Sequence, residues 1–115
     1  MKHEQIFAID SGCVIGLLTT SLLEHGCRVE RSFDLRSALP QQGQSPCPYH
    51  GATGCDCQFV VLLVHDQLTF TPPAIVTAHE CENFTRLKFE ALSTELWTHL
   101  MAALTAVTGY VMADA

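Results

Sequence analysis

FVVLLV, residues 59–64, is an unbroken apolar run rich in β-branched side chains. It is too short for a packed helix, and its composition predicts a central strand covered on both faces. Downstream, Pro72 and Pro73 punctuate the chain before two further strands, Ala74–His79 and Arg86–Leu92. In the second of these, Leu87, Phe89 and Ala91 point one way, and Lys88 and Glu90 the other. Ser93 then offers an N-cap to an amphipathic closing helix carrying Leu96, Trp97, Leu100, Leu104, Val107 and Val111.

Upstream, Val29, Phe33 and Leu35 alternate with Arg28, Glu30, Ser32 and Asp34, as in a half-buried strand, although Arg31 interrupts the inward series. Before it, Val14, Ile15, Leu17, Leu18 and Leu22 recur at helical spacing. Asp10 or Ser11 caps that helix and Gly26 supplies its left-handed stop, so it covers residues 12–25. Gln5–Ile9 reads as the opening strand. Between Ser37 and Asp56 the chain is rich in Pro, Gly, Gln and Ser and has no periodicity. So long an irregular stretch in a small domain is expected to carry function, and a bound ion would give it a reason to be ordered.

The expected architecture is α+β: a mostly antiparallel sheet of four or five strands with two helices, in the order β-α-β-(long Cys loop)-β-β-β-α. The chain of 115 residues is read as one domain, with a metal-binding loop at 37–57 inserted between strands. Leu18, Leu22 and Gly26, leading to Val29 and then to Phe33-Asp34-Leu35, resemble small uncharacterised bacterial domains of the TBP-like β-α-β4-α fold. The resemblance implies a fold and carries no activity with it.

Hydrophobic residues make up 48% and charged residues 16%, the balance of a globular chain. A net charge of −6 leaves no cation surface for nucleic acid. Arg28, Arg31 and Arg36, interrupted by Glu30 and Asp34, read as a solvated strand edge rather than an anion site. Leu96–Ala113 is apolar, but His99 and its threonines mark a packed helix rather than a membrane span. Six cysteines without a recognisable export signal point to a reducing, cytoplasmic setting, where clustered thiols bind metal or do redox work.

The chemistry concentrates in CPYHGATGCDC, residues 47–57. Cys47, His50, Cys55 and Cys57 form C-x2-H-x4-C-x-C, the Cys3His donor set of tetrahedral zinc. Pro46, Pro48, Gly51 and Gly54 let the backbone fold back far enough to converge four side chains. Four protein ligands leave no open coordination position, the mark of a structural ion. CPYHG also resembles half of a Rieske motif, but the upstream C-x-H pair is missing. His79-x-Cys81 offers those ligand types in reversed order on one strand face, yet would leave Cys55 and Cys57 unexplained, so an iron–sulfur cluster is not expected. A thiol-redox alternative pairs Cys55 with Cys57, and exposed free thiols are the plainest reading of all.

Elsewhere, Cys13 and Cys27 read as small buried apolar residues bracketing the first helix, and His79 with Cys81 as a polar strand end. His25 suits a helix C-terminus and His99 a hydrogen-bonded core position. His65-Asp66 reads as a turn, and no hydrolase, P-loop, zincin or dinucleotide motif occurs, so no catalytic residue is assigned. The expectation is a zinc-carrying binding or regulatory module for a protein or small-molecule partner, with no nucleic acid or membrane surface. A homodimer is the assembly to expect. The alternatives are a Cys55/Cys57 redox protein and a metalloenzyme with a pocket lined by His65, Asp66 or His79.

Overall fold

A computed structural model describes residues 1–38 and 57–113. In chain order the elements are β1 (Lys2–Phe7), α1 (Ser11–Glu24), β2 (Cys27–Asp34), α2 (Leu35–Ala38), β3 (Gln58–Asp66), β4 (Ala74–Cys81), β5 (Phe84–Glu90) and α3 (Thr94–Ala113). The five strands form one sheet in the order β1-β5-β4-β3-β2, every neighbouring pair antiparallel. β1 and β2 therefore run parallel to each other at opposite edges, and α1 carries the chain between them. The α+β class, the antiparallel sheet and the element order follow the sequence reading, with the four-residue α2 added.

Side-chain alternation divides the sheet into two unlike faces. Along β3, Gln58, Val60, Leu62, Val64 and Asp66 are buried, and the residues between them are half-buried. Val60, Leu62 and Val64 meet Val76 and Ala78 of β4, Leu87 and Phe89 of β5, and the apolar stripes of α1 and α3. Those stripes are Val14, Ile15, Leu18 and Leu22, and Leu96, Leu100, Ala103, Leu104 and Val107. Each follows the three-to-four spacing that puts residues on one side of a helix. α1 and α3 lie side by side on this face.

Among the described residues, no helix covers the opposite face, which corrects the expectation of a strand buried on both sides. Phe59, Val61 and Leu63 of β3 are half-buried there, and Ile75 of β4 is exposed. Phe33 joins them because the β2–β3 register shifts between Arg31 and Phe33. The bulge absorbs one residue, so Phe33 pairs with Val61 on the open face while Arg31 pairs with Leu62. Arg31 thus keeps the phase of Cys27 and Val29, and it is Phe33 that leaves the inward series. Leu35, expected to continue the strand, instead opens α2 and is buried.

The caps form largely as read. Asp10 accepts the Cys13 backbone N–H at 3.0 Å, and Gly26 takes φ +80° just beyond α1. The Ser93 hydroxyl oxygen accepts the Leu96 N–H at 3.3 Å. The opening strand lies earlier than expected, at Lys2–Phe7, because pairing with β5 decides its limits. Cys13 is exposed, whereas Cys27 is buried as read; an N-terminal helix residue three places after the cap points away from the sheet. No described helix is long and apolar enough to cross a membrane.

Leu100→Ala, at a fully buried α3 position, should lower the unfolding free energy by about 2–5 kcal/mol through lost transfer energy and a cavity. Ile75→Ala, 42% exposed on the open face, should change it by no more than about 1 kcal/mol. Urea unfolding followed by circular dichroism measures both.

Candidate metal centre

Cys57 precedes the first residue of β3, and Cys81 is the last residue of β4. In the antiparallel register Gln58 faces Glu80 and Phe59 faces His79. One further step along the same ladder sets Cys57 opposite Cys81, with 4.8 Å between their Cα atoms. That separation lies within the range a disulfide requires, and the two cysteines are disulfide-bonded.

His79, two residues before Cys81, shares its side of β4. The imidazole is buried, with its ring centre 6.1 Å from that of Phe59. One ligand atom each from Cys57, His79 and Cys81 lies within 4.8 Å of the other two. In a tetrahedral zinc site with the usual bond lengths, such atoms stand about 3.3–3.8 Å apart. The donors are two sulfurs and one imidazole nitrogen, the soft and borderline set that zinc takes.

The backbone on both sides is held firmly. Gln58 Oε1 accepts the N–H groups of Arg36 and Phe59, each at 3.0 Å, while its Nε2 donates to Asp34 Oδ1 at 2.8 Å. Glu80 Oε1 accepts from the Ser11 backbone N–H at 2.8 Å and from the Ser11 hydroxyl at 2.7 Å. These acidic and amide side chains face the helices, while the cysteines and His79 face the open side. Beyond Cys81 the chain reverses through Glu82 and Asn83, at φ 55° and 68°. Two successive left-handed residues are what a two-residue hairpin turn demands, so Cys81 sits against a tight reversal.

Burial alone would raise the Asp34 carboxyl, but hydrogen bonds from Gln58 and Ser37, together with Arg31, outweigh it and hold the carboxyl below its ordinary value. The Arg31 guanidinium lies 2.7 Å from Asp34. A depressed folded-state pKa means stability that is complete at neutral pH and is lost as pH falls through the folded value.

The sequence reading placed the metal on Cys47, His50, Cys55 and Cys57. Cys47, His50 and Cys55 lie outside the described residues. Cys57 is the one member of the set within them, and the structure places His79 and Cys81 beside it. The Cys55–Cys57 disulfide of the redox alternative is likewise not the bond formed, since the Cys57 sulfur is joined to Cys81. Reading His79 and Cys81 as a bare polar strand end missed this group. The i, i+2 spacing was visible, but the third member depends on which residue the neighbouring strand sets opposite.

His65 and Asp66 sit at the far end of β3, six and seven residues beyond Phe59, roughly 20 Å or more along the strand from His79. His65 and Asp66 line a pocket there with Arg28, Gln67 and Phe70, and His79 is not part of it. His65 Nε2 lies 3.2 Å from Glu30, and Asp66 Oδ1 accepts the Leu68 N–H at 2.9 Å, the side-chain-to-backbone turn expected there.

A second titratable group gathers at this end of the sheet. Cys27 is the register partner of Asp66, His99 Nε2 lies 3.9 Å from Asp66, and the His25 and His99 rings are 6.0 Å apart. His25 Nδ1 lies 2.7 Å from the Ser21 carbonyl, a donor's position at the helix end. Burial first, and the Asp66 carboxylate second, push the Cys27 thiol up. A thiol kept protonated is no nucleophile, so this is not an activated cysteine site.

No protein-family model, curated protein or solved structure matches the chain.

Two outcomes follow from these environments. In the native protein with its disulfide intact, Ellman's reagent at pH 7 should label exposed Cys13 and leave Cys27 unmodified until denaturant is added, as peptide mapping would show. Asp34→Asn should lower stability at neutral pH and flatten the loss of stability below about pH 4, where a carboxylate with a depressed pKa stops contributing. Thermal melts across pH 2–7 test this.

Proposed function

We propose that this chain is a small zinc-binding module whose reduced form holds the ion through Cys57, His79 and Cys81, with a fourth ligand from Cys47, His50 or Cys55. One observation carries the reading: the Cys57 sulfur, just before β3, and the His79 nitrogen and Cys81 sulfur of β4 converge within 4.8 Å. Two buried or half-buried thiols beside a buried imidazole form a donor set with little affinity for hard cations such as magnesium or calcium. Three ligands from a preformed sheet and one from the cysteine-rich segment before β3 would make a closed site of the structural kind.

In this reading the ion ties residues 47–56 to the end of the β3–β4 ladder, and its binding energy adds to folding energy. The role is that of a cytoplasmic binding or regulatory module, with the metal setting the shape of a surface offered to a protein or small-molecule partner. A second reading, favoured by the Cys57–Cys81 bond, is a dithiol protein that exchanges electrons through this cysteine pair without any ion.

The deciding experiment is elemental mass spectrometry on protein purified under reducing conditions without chelator. About one zinc per chain is expected, falling well below that in Cys81→Ser and His79→Ala, with a lower melting temperature in both. Reduced wild-type protein that retains its fold but contains and accepts no zinc overturns the reading in favour of the dithiol.

A further inference from the structure

We infer that oxidation governs metal occupancy at this centre: the Cys57–Cys81 disulfide and the zinc-bound site are two states of the same three side chains. The inference rests on the zinc reading above and deepens it. Two of the three converging ligand atoms are the sulfurs that form the disulfide. A sulfur bonded to another sulfur has lost the thiolate charge that binds zinc, so the states exclude each other.

The surrounding geometry serves both states without moving the backbone. Cys57 and Cys81 stand opposite each other because β3 and β4 are paired from Gln58↔Glu80 through Val64↔Ala74. The Cα separation of 4.8 Å is set by that ladder, which neither oxidation nor metal has to break. Gln58 and Glu80, the residues just inside the cysteine pair, are fixed from the helical face by Asp34, Arg36 and Ser11. Only side-chain rotation therefore separates a sulfur–sulfur bond from two thiolates converging with His79. Cys81 is half-buried rather than enclosed, so a small reagent can reach it.

The chemistry balances with a peroxide as oxidant. One thiolate attacks a peroxide oxygen, the O–O bond breaks, and hydroxide leaves behind a sulfenic acid. The second thiolate attacks that sulfur, forms the S–S bond and expels a second hydroxide. The sulfurs have given up two electrons, two protons convert the hydroxides to water, and the metal departs as a divalent cation. A dithiol reductant reverses this by two thiol–disulfide exchanges, leaving as its own disulfide and returning two thiolates.

The test uses the full chain, reduced, loaded with zinc chloride and freed of excess metal. Hydrogen peroxide is added, zinc release is followed with a chromogenic chelator, and disulfides are mapped by alkylation and mass spectrometry. The expected result is release of about one zinc per chain in step with the Cys57–Cys81 bond, and rebinding after phosphine reduction. His79→Ala should still form the disulfide but bind zinc roughly 100-fold or more weakly, with circular dichroism verifying its fold. Zinc retained on protein whose Cys57–Cys81 bond is complete overturns the inference, and with it the assignment of both sulfurs as ligands. Zinc loss without that bond, or a bond that phosphine cannot reduce in the native protein, also overturns the inference. Absence of zinc from reduced, folded wild type overturns the zinc reading itself.

Discussion

The antiparallel register between β3 and β4 is the constraint on which the rest of the molecule depends. Gln58 opposite Glu80 and Phe59 opposite His79 set Cys57 against Cys81 and bring His79 alongside. A slip of one residue would reverse the facing of a whole strand, sending Val60, Leu62 and Val64 out of the core and Phe59 and Val61 into it. The hydrophobic core therefore enforces the register. The cysteine pair inherits its alignment from apolar packing several residues away.

At the site end of the sheet that packing is joined by a polar network. Asp34, Gln58 and Arg36 connect β2, β3 and α2, while Glu80 accepts both donors of Ser11 at the start of α1. Arg36 also lies 3.8 Å from Glu80, which links the two halves. Buried amide and carboxylate groups are costly unless satisfied, and here each finds partners from separate elements. The arrangement specifies how β3 and β4 end, which apolar contacts alone leave loosely defined. The Cys57, His79 and Cys81 side chains project from the opposite face, so the polar framework and the sulfur–imidazole cluster occupy different sides of one sheet.

The two cysteine environments differ in a chemically useful way. Cys27 is enclosed by the core beside a carboxylate and held as a thiol, while Cys57 and Cys81 stand at a strand end next to an imidazole. Burial among apolar groups makes a cysteine inert, and proximity to a second sulfur and a nitrogen base makes it a ligand or a redox partner. Of the cysteines in the described residues, reactivity is thus assigned by position in the fold rather than by spacing in the chain.

Much of the architecture was legible in the residues alone. The apolar run at 59–64, the alternation of Leu87, Phe89 and Ala91, and the stripes of α1 and α3 reflect local periodicities of two and of three to four. Those periods follow from backbone geometry, so element types, caps and the core-facing residues could be read directly. The β2 bulge, the bare face of the sheet and the partner of Cys57 could not. Each depends on which strands become neighbours and in what register, a choice made by the packing of the whole core rather than by any segment. Cys57 and Cys81 are 24 residues apart in the chain, and only the pairing of β3 with β4 makes them adjacent. The sequence by itself determined that this is an α+β chain rich in soft metal ligands. Tertiary structure alone decided which of those ligands meet, because contact between distant side chains is a property of strand register and not of local composition.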